Sequence, residues 1–317
     1  MMDWTDRHCR FLHRLFAPHA LLYTEMIVAA ALTRGDAARL LKHDPFEHPV
    51  ALQLGGCDPA ELAQAASLGA RAGYAEINLN VGCPSDRVKS GSFGACLMQR
   101  PKLVGECVER MREATQGRVP VTVKCRIGID QCDSYDFFAG FALTMAEAQV
   151  DALIVHARAA ILGGLTPKEN REIPPLRYDY VWRLKREHPG LPVVLNGGLI
   201  DAAAIVDLAA GLDGVMVGRA AYHRPEILGE LERAMIDPAW RIPCPLQIIE
   251  RMVPYARSQL RQGVRLHSIV RHMHGLMAGR EGARAWRRFL SELAVRPDAT
   301  AETLFSALPI LENGLAA

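Results

Sequence analysis

Short apolar runs alternate with helical patterns over the first 220 residues, and this alternation limits the possible folds more than any other feature of the chain. Nearly continuous runs of Val, Ile and Leu are typical of parallel strands that are buried on both faces. Strands that alternate with helices predict a right-handed α/β fold. Seven such runs lie at residues 21–26, 49–54, 76–81, 120–127, 152–157, 192–195 and 214–217.

A (β/α)8 TIM barrel requires eight strands, and the sequence provides seven candidates. Residues 5–16 are predicted to be the first helix, because apolar side chains such as Phe11 and Leu15 fall on one helical face. Residues 1–4 would then be the loop after the first strand. We therefore predict a TIM barrel with a truncated first strand, which implies either a start site further upstream or a different closure of the barrel.

Only helical patterns follow residue 245, at 247–262, 266–278, 283–293 and 301–311. Prolines interrupt the helical pattern just before them and predict a domain boundary. We expect a barrel domain over residues 1–236 and a small all-helical domain over 245–317. A total of 317 residues fits a barrel of about 250 residues with a small appendage.

Composition excludes several classes of protein. Half of the residues are hydrophobic and 23% are charged, which argues against a disordered chain. The longest apolar run near the N-terminus is much shorter than the roughly 18 residues that a membrane span needs. The eight cysteines form no C-x-x-C pair, so neither a zinc ribbon nor a disulfide framework is expected. The first residues lack the layout of a signal peptide. We expect a reduced, cytoplasmic protein without a metal, and a monomer.

The basic residues are unevenly distributed. From Arg241 to the end there are eleven arginines, no lysine and six acidic residues. Such a local excess favours contact with the phosphates of a nucleic acid, and the alternative is a solvated helical face. The densest part contains Arg265, Arg271, Arg280, Arg284, Arg287 and Arg288.

Polar residues end six consecutive predicted strands. The carboxyl ends of barrel strands meet at one mouth, where active sites lie. Each of these residues alone could be an ordinary loop residue, but six strands that all end in this way indicate a functional site. They are Gln53; Asn78 and Asn80; Lys124 and Arg126; His156 and Arg158; Asn196, Gly197 and Gly198; and Gly218 with Arg219.

The glycines after the last two strands suggest a phosphate site. Backbone N–H groups of these loops often bind phosphate in barrels, and Arg219 would add a positive charge. A phosphate there, with Lys124 and Gln53 deeper in the barrel, suggests flavin mononucleotide (FMN). The lysine would stabilise the reduced, anionic ring, and the amide would hydrogen-bond to the ring edge.

Cys83 is the candidate for chemistry, because the Gly-Cys-Pro turn that contains it directly follows a strand. A thiol can act as a nucleophile, as a thiolate or as a proton donor. No base stands near it in the sequence, although His156 could approach it in space. The residues alone leave these roles open.

Several long motifs resemble those of tRNA-dihydrouridine synthases. The shared strings are MMDWTD at 1–6, EINLNVGCPS at 76–85 and VTVK at 121–124. VHAR at 155–158, LTPKENREIPPL at 165–176 and GARAWRR at 282–288 resemble the A-type members of that family. The resemblance covers nearly the whole chain.

The resemblance implies an FMN-bearing barrel followed by a helical tRNA-binding domain. In the family, NADPH reduces the flavin, which passes hydride to C6 of uracil, and a cysteine protonates C5. Cys83 would therefore be the general acid, and A-type members act on uridines 20 and 20a. The implied flavin contacts are Met1, Met2, Gln53, Lys124, His156, Asn196, Gly197, Gly198, Gly218 and Arg219. The implied contacts with the uracil or the tRNA are Asn80, Arg158, Lys168, Asn170, Arg171, Arg284 and Arg287.

Two other functions stay open at this point. An FMN barrel oxidoreductase that acts on a free small molecule would share the flavin site but would not need the basic helices. A tRNA-binding protein without catalytic activity would result if the short N-terminus prevented flavin binding.

Overall fold

A computed structural model describes residues 1–85, 93–292, 295–296 and 298–313. All seven predicted strands are present, as β1 (Leu22–Val28), β2 (Val50–Gly55), β3 (Glu76–Val81), β4 (Val121–Arg126), β5 (Ala152–His156), β6 (Val193–Asn196) and β7 (Gly214–Met216). The helices are α1 (Arg7–Phe16), α2 (Ala29–Arg34), α3 (Ala37–Leu40), α4 (Pro59–Arg71), α5 (Pro101–Thr115), α6 (Tyr135–Glu147), α7 (Tyr178–Glu187), α8 (Ala202–Leu208), α9 (Arg219–His223), α10 (Glu226–Met235), α11 (Pro245–Arg261), α12 (Leu266–Val270), α13 (Ala283–Glu292) and α14 (Leu308–Asn313).

The strands form one parallel sheet in the order β1-β2-β3-β4-β5-β6-β7. Every residue of β2 and β3 is buried, as expected of strands that are covered on both faces. Sequential parallel strands with intervening helices give the predicted TIM-barrel type of fold, with seven strands in the described part of the chain. Hydrogen-bonding side chains begin several of the helices; for example, Asp58 accepts a hydrogen bond from the Glu61 N–H at the start of α4.

The chain divides into two compact units. The first contains residues 1–2 and 23–218, and therefore holds the sheet apart from the first residue of β1. The second contains residues 3–22 and 219–317, and therefore holds α1 together with the helices from α9 onward. The predicted domains, 1–236 and 245–317, have different bounds and stay a prediction.

The second unit has its own apolar core. Leu12 and Phe16 of α1 pack in one cluster with Met252 of α11 and Trp286 of α13. Trp286 is fully buried, and its Nε1 donates to the carbonyl of Met273 at 2.8 Å.

Asp6 fixes the start of α1 within this unit. Its side chain caps the helix and also pairs with Arg271 at 2.7 Å. The pKa of Asp6 is lowered, because hydrogen bonds with His272 and Arg271 outweigh the opposing effect of burial. The carboxylate is therefore charged at neutral pH. It joins the N-terminal segment of this unit, 3–22, to the later segment, 219–317.

The prediction of one helix over residues 266–278 is wrong beyond Val270. A 3-10 turn covers Arg271–Met273, and turns and a bend follow it over residues 274–282. The Met273 carbonyl is taken by Trp286, and a Cβ at Gly275 would lie 2.4 Å from the carbonyl oxygen of His223. Tertiary packing therefore replaces a regular helix here.

No helix of the described residues is long and apolar enough to span a bilayer. Within the same residues, no group of three or more His, Cys, Asp or Glu side chains is arranged to hold a metal ion.

Candidate active site at the carboxyl ends of the strands

The strand register brings the predicted polar residues side by side. The partners across neighbouring strands are Gln53 with Asn78, Asn80 with Lys124, Arg126 with His156, and His156 with Asn196. Because side chains alternate along a strand, residues 76, 78 and 80 share one face of β3. The polar residues of neighbouring strands therefore form one continuous group.

A chain of side-chain hydrogen bonds crosses β2, β3 and β4, and we call it the amide chain. Asn80 Nδ2 donates to Gln53 Oε1 at 2.9 Å, and Gln53 Nε2 donates to Asn78 Oδ1 at 2.9 Å. Asn78 Nδ2 donates to Thr122 Oγ1 at 2.8 Å, and this hydroxyl donates to Glu76 Oε1 at 2.5 Å. All five side chains are buried. Burial on this scale requires such complete hydrogen bonding.

Glu76 ends the amide chain inside the barrel. Its Oε1 also accepts from the Tyr23 hydroxyl at 2.5 Å. Burial raises the pKa of Glu76, while the hydrogen bonds from Thr122 and Tyr23 act in the opposite direction. The sequence patterns do not identify Glu76, Thr122 or Tyr23 as site residues. The alternation of 76, 78 and 80 is a signal that could have identified Glu76.

The turn that carries Cys83 is fixed by two groups. Asn80 Oδ1 accepts from the backbone N–H groups of Gly82 at 3.1 Å and Cys83 at 3.0 Å. Arg126 Nε donates to the Gly82 carbonyl at 3.1 Å. The Cys83 thiol is half-buried and lies 3.5 Å from the Ser85 hydroxyl. Its position is therefore set by neighbouring strands as well as by its own turn.

Arg126 is buried and connects the loops after β3 and β5 through their carbonyl oxygens. Besides Gly82, it donates through Nη1 to Asn170 at 2.9 Å and Ala159 at 3.3 Å. Its pKa is lowered to about 10, because burial disfavours the charged form. The sequence does not predict this role as a connector.

The other charged groups of β4 and β5 also lack acidic neighbours. The pKa of Lys124 is lowered to about 8 by burial and then by the charge of Arg126. Among the described residues, no carboxylate lies within ion-pairing distance of Lys124 or Arg126. Burial and the same two cations hold the pKa of His156 well below its usual value, so this ring is neutral at pH 7. The set of polar residues at the strand ends is therefore electropositive and suits an anionic or carbonyl-rich ligand.

Two glycines follow β6 in left-handed conformations, with φ of +107° at Gly197 and +68° at Gly198. A Cβ at Gly197 would lie 2.3 Å from a ring carbon of His156, so only glycine fits. Within the described parts of the chain, no acceptor is found for the N–H groups of Gly197, Gly198 or Gly218. These N–H groups are therefore available to a ligand.

The remaining predicted flavin contacts lie near these glycines or on β6. Met1 lies beside Gly218, since a Cβ there would be 3.7 Å from its sulfur, and Met2 is exposed. Asn196 donates to the Met216 carbonyl at 2.6 Å, which ties the end of β6 to β7.

The segment after β5 carries four of the residues that the resemblance assigns to the substrate. Lys168 and Arg171 are exposed, and Arg158 donates to the Pro174 carbonyl. Asn170 is fully buried: it accepts from the Ile161 N–H at 2.7 Å and donates to the backbone carbonyls of Ile161, Leu165 and Thr166. This geometry favours a role of Asn170 in shaping the loop over direct contact with a ligand.

Exposed arginines line one face of α13 in the second unit. Arg284, Arg287 and Arg288 lie on that side, whereas Trp286 and Phe289 are buried on the other face. This face of α13 therefore carries positive charge, and these arginines are not part of the apolar core on the opposite face.

Three other arginines of the second unit lie outside α13, and two of them form ion pairs within the unit. Arg271 pairs with Asp6, as described above, and Arg280 pairs with Glu226 at 2.7 Å. Arg219, predicted as a flavin contact, is the first residue of α9 and belongs to the second unit.

The parallel sheet and the polar group at its strand ends define an α/β-barrel enzyme. The family model for dihydrouridine synthases matches residues 1–309. The chain belongs to the dihydrouridine synthase family.

Similar proteins of known name span almost the same length. A tRNA-dihydrouridine(20/20a) synthase from Xanthomonas axonopodis pv. citri is 54% identical over 97% of this chain and 91% of its own. One from Pasteurella multocida is 50% identical over 99% of this chain and 95% of its own. The old yellow enzyme homologue from Zymomonas mobilis has a similar structure, with a TM-score of 0.51 and 13% identity over 78% of this chain and 87% of that one. This last similarity concerns the fold alone.

Proposed function

We propose that the protein reduces uridines 20 and 20a of tRNA to 5,6-dihydrouridine, with FMN as cofactor and NADPH as reductant. The observation that carries the proposal is the Cys83 turn, which Asn80 and Arg126 hold next to an electropositive group in a chain that belongs to this family. The names of the relatives at 48–54% identity supply the substrate and the two positions.

The residues present fit FMN. Three backbone N–H groups, of Gly197, Gly198 and Gly218, are available to a phosphate. Lys124 is a largely buried cation with no carboxylate beside it in the described residues, so an electron-rich ring edge would compensate its charge.

Further residues support the same ligand. His156 and Asn196 are register partners on β5 and β6, between Lys124 on β4 and the glycine loops. Gln53 lies on β2, on the other side of Lys124 in the same sheet. Met1 lies beside Gly218, which supports the predicted contact of the N-terminal residues with the flavin.

The protein's own residues would bind the uracil, orient it and protonate it. The hydride for C6 would come from reduced FMN, which NADPH regenerates. The thiol of Cys83 would donate a proton to C5, as a positioned general acid. Asn80 would hydrogen-bond to the base, and it also fixes the backbone of the Cys83 turn. One residue would thus set the distance between the base and the acid.

Cationic side chains in both units would bind the tRNA. A uridine in a folded tRNA must leave its stack to reach such a site, at a cost of a few kcal/mol. Contacts of Lys168, Arg171, Arg284 and Arg287 with phosphates would offset that cost. We keep 1–236 as the catalytic domain and 245–317 as the tRNA-binding domain in this proposal. A tRNA substrate also favours a cytoplasmic location.

An anaerobic reoxidation experiment tests the proposal. Bound flavin is reduced, unmodified tRNA or free uridine is added, and flavin absorbance is followed. We expect rapid reoxidation with tRNA only, and loss of the signal when positions 20 and 20a are both changed to cytidine. Reoxidation by small enones but not by tRNA would instead identify a small-molecule oxidoreductase. A purified protein that contains no flavin and binds tRNA would identify a non-catalytic tRNA-binding protein.

A further inference from the structure

All hydrogen bonds of the amide chain run in one direction. At the Cys83 end, the backbone N–H groups of Gly82 and Cys83 can only donate. At the other end, Glu76 Oε1 accepts from the hydroxyl groups of both Thr122 and Tyr23. If the hydrogen bonds of the amide chain ran in the opposite direction, Glu76 would have to donate to Thr122. The two ends therefore impose the same orientation on the three amide groups between them.

This direction determines what Asn80 can offer to a ligand. Its Oδ1 accepts from two backbone N–H groups, which occupies both lone pairs. Its Nδ2 uses one of its two N–H groups on Gln53. The remaining polar group of Asn80 is one N–H, which can pair with a carbonyl oxygen and cannot pair with a donor.

We propose that Glu76 is a positioning residue that acts through Thr122, Asn78 and Gln53 to keep Asn80 as a donor toward a carbonyl oxygen of the bound pyrimidine. The identity of the ligand rests on the proposed function, whereas the direction of the chain does not. A charged acceptor at the inner end strengthens each successive hydrogen bond, because polarised bonds reinforce one another in a buried site. Burial also makes an unpartnered hydroxyl at Thr122 costly.

Moving the carboxylate to the other end of the amide chain tests the direction of its hydrogen bonds. Asn80→Asp places a group that only accepts beside both backbone N–H groups and Gln53. The amides must then reverse, and Thr122 must donate to Asn78, which leaves Glu76 without that hydrogen bond. Glu76→Gln supplies an N–H that can donate to Thr122 and completes the reversed chain. The two substitutions are four residues apart on β3 and should nevertheless compensate each other.

Urea unfolding of the full-length, flavin-loaded proteins measures this compensation. We expect Glu76→Gln to lower the folding equilibrium constant of the wild type slightly and to raise that of the Asn80→Asp variant about tenfold. Glu76→Met is the matched control, since it removes the same charge without supplying a donor. Equal rescue by Met and Gln, or no rescue by Gln, would overturn the proposed direction.

Activity gives an independent readout. We expect the double variant to regain stability but not turnover, because a carboxylate introduced at position 80 accepts hydrogen bonds and cannot donate one to the substrate. Thr122→Val, which cuts the chain without touching the ligand, should lower the single-turnover rate about tenfold with an unchanged KM for tRNA, and Thr122→Ser should restore it. A wild-type rate in Thr122→Val, or a change in KM alone, would contradict a positioning role.

These measurements separate the two proposals. If the wild type forms no dihydrouridine, the proposed function fails, but the unfolding comparison still decides whether the amide chain has the inferred direction. If the Asn80→Asp variant does not fold, recovery of a folded protein by Glu76→Gln and not by Glu76→Met is the same test. Failure of both double variants to fold would count against the compensation.

Discussion

Lys124 should destabilise the protein when no cofactor is bound, because its charge is largely buried without a carboxylate partner among the described residues. Its pKa falls from an ordinary value of 10.5 to about 8 on folding. That gap corresponds to about 3 kcal/mol, and partial contact of the side chain with solvent reduces the expected penalty to about 2 kcal/mol. Lys124→Met should therefore raise the free energy of unfolding of the flavin-free protein by about 2 kcal/mol at pH 7.

The gain should depend on pH in a defined direction. Below pH 8, Lys124 is charged in both states, so the folded state carries the full penalty. As the pH rises from about 8 to 10.5, the folded protein releases the proton first, and the penalty disappears. The stability difference between Lys124→Met and the wild type should therefore shrink over this interval.

Urea unfolding of flavin-free protein at pH 7 and pH 10 measures both effects. Taking the difference between variant and wild type at each pH removes the contribution of buried thiols and tyrosines, which titrate in the same range. Lys102→Met is the control, because Lys102 is an exposed lysine on α5 and its removal should change stability by less than about 0.5 kcal/mol. A Lys124→Met protein that is less stable than the wild type at pH 7 would refute the reasoning. In the same variant, flavin binding should be lost.

Three further predictions concern the catalytic and binding residues. Cys83→Ala should leave flavin absorption intact and lower the rate of uridine reduction by about 10²-fold or more, whereas replacement of the exposed Cys132 should change neither. Near-normal turnover of the Cys83 variant would exclude the general-acid role. Arg284→Ala with Arg287→Ala should weaken tRNA binding and reduce the slope of log affinity against log salt by about 2, as measured by filter binding at several salt concentrations; an unchanged slope would argue against phosphate contacts. Gly197→Ala should reduce flavin content, because its Cβ would meet the neighbouring imidazole at 2.3 Å, and full flavin content in the purified variant would contradict this.

The strands and their polar ends could be predicted from the sequence because both depend on local patterns. Continuous apolar runs mark buried parallel strands, and the topology then brings the ends of successive strands together. Gln53 and Lys124 could be assigned to one group on that basis alone. Their register with Asn78 and Asn80 agrees with the assignment.

The partners of these residues could not be predicted in the same way. Thr122 looks like an ordinary β-branched strand residue, and its function as a link between Asn78 and Glu76 depends on the register of two strands 44 to 46 residues apart. Arg126 is recognisable as a strand-end cation, but its three carbonyl partners are distributed over the loops after β3 and β5. Specific hydrogen-bond partners depend on tertiary geometry, which periodicity does not contain.

Helix α1 has a consequence for the order in which the chain can fold during synthesis. Asp6 pairs with Arg271, which is 265 residues later, and His8 bonds with Tyr255, 247 residues later. At about 5–20 residues per second, a ribosome needs roughly 10–50 s to deliver those partners after it has made the helix. The sheet residues, 23–218, emerge without interruption during this interval. Helix α1 therefore lacks these partners while the sheet residues are synthesised, and the partners cannot cover its apolar face during that time.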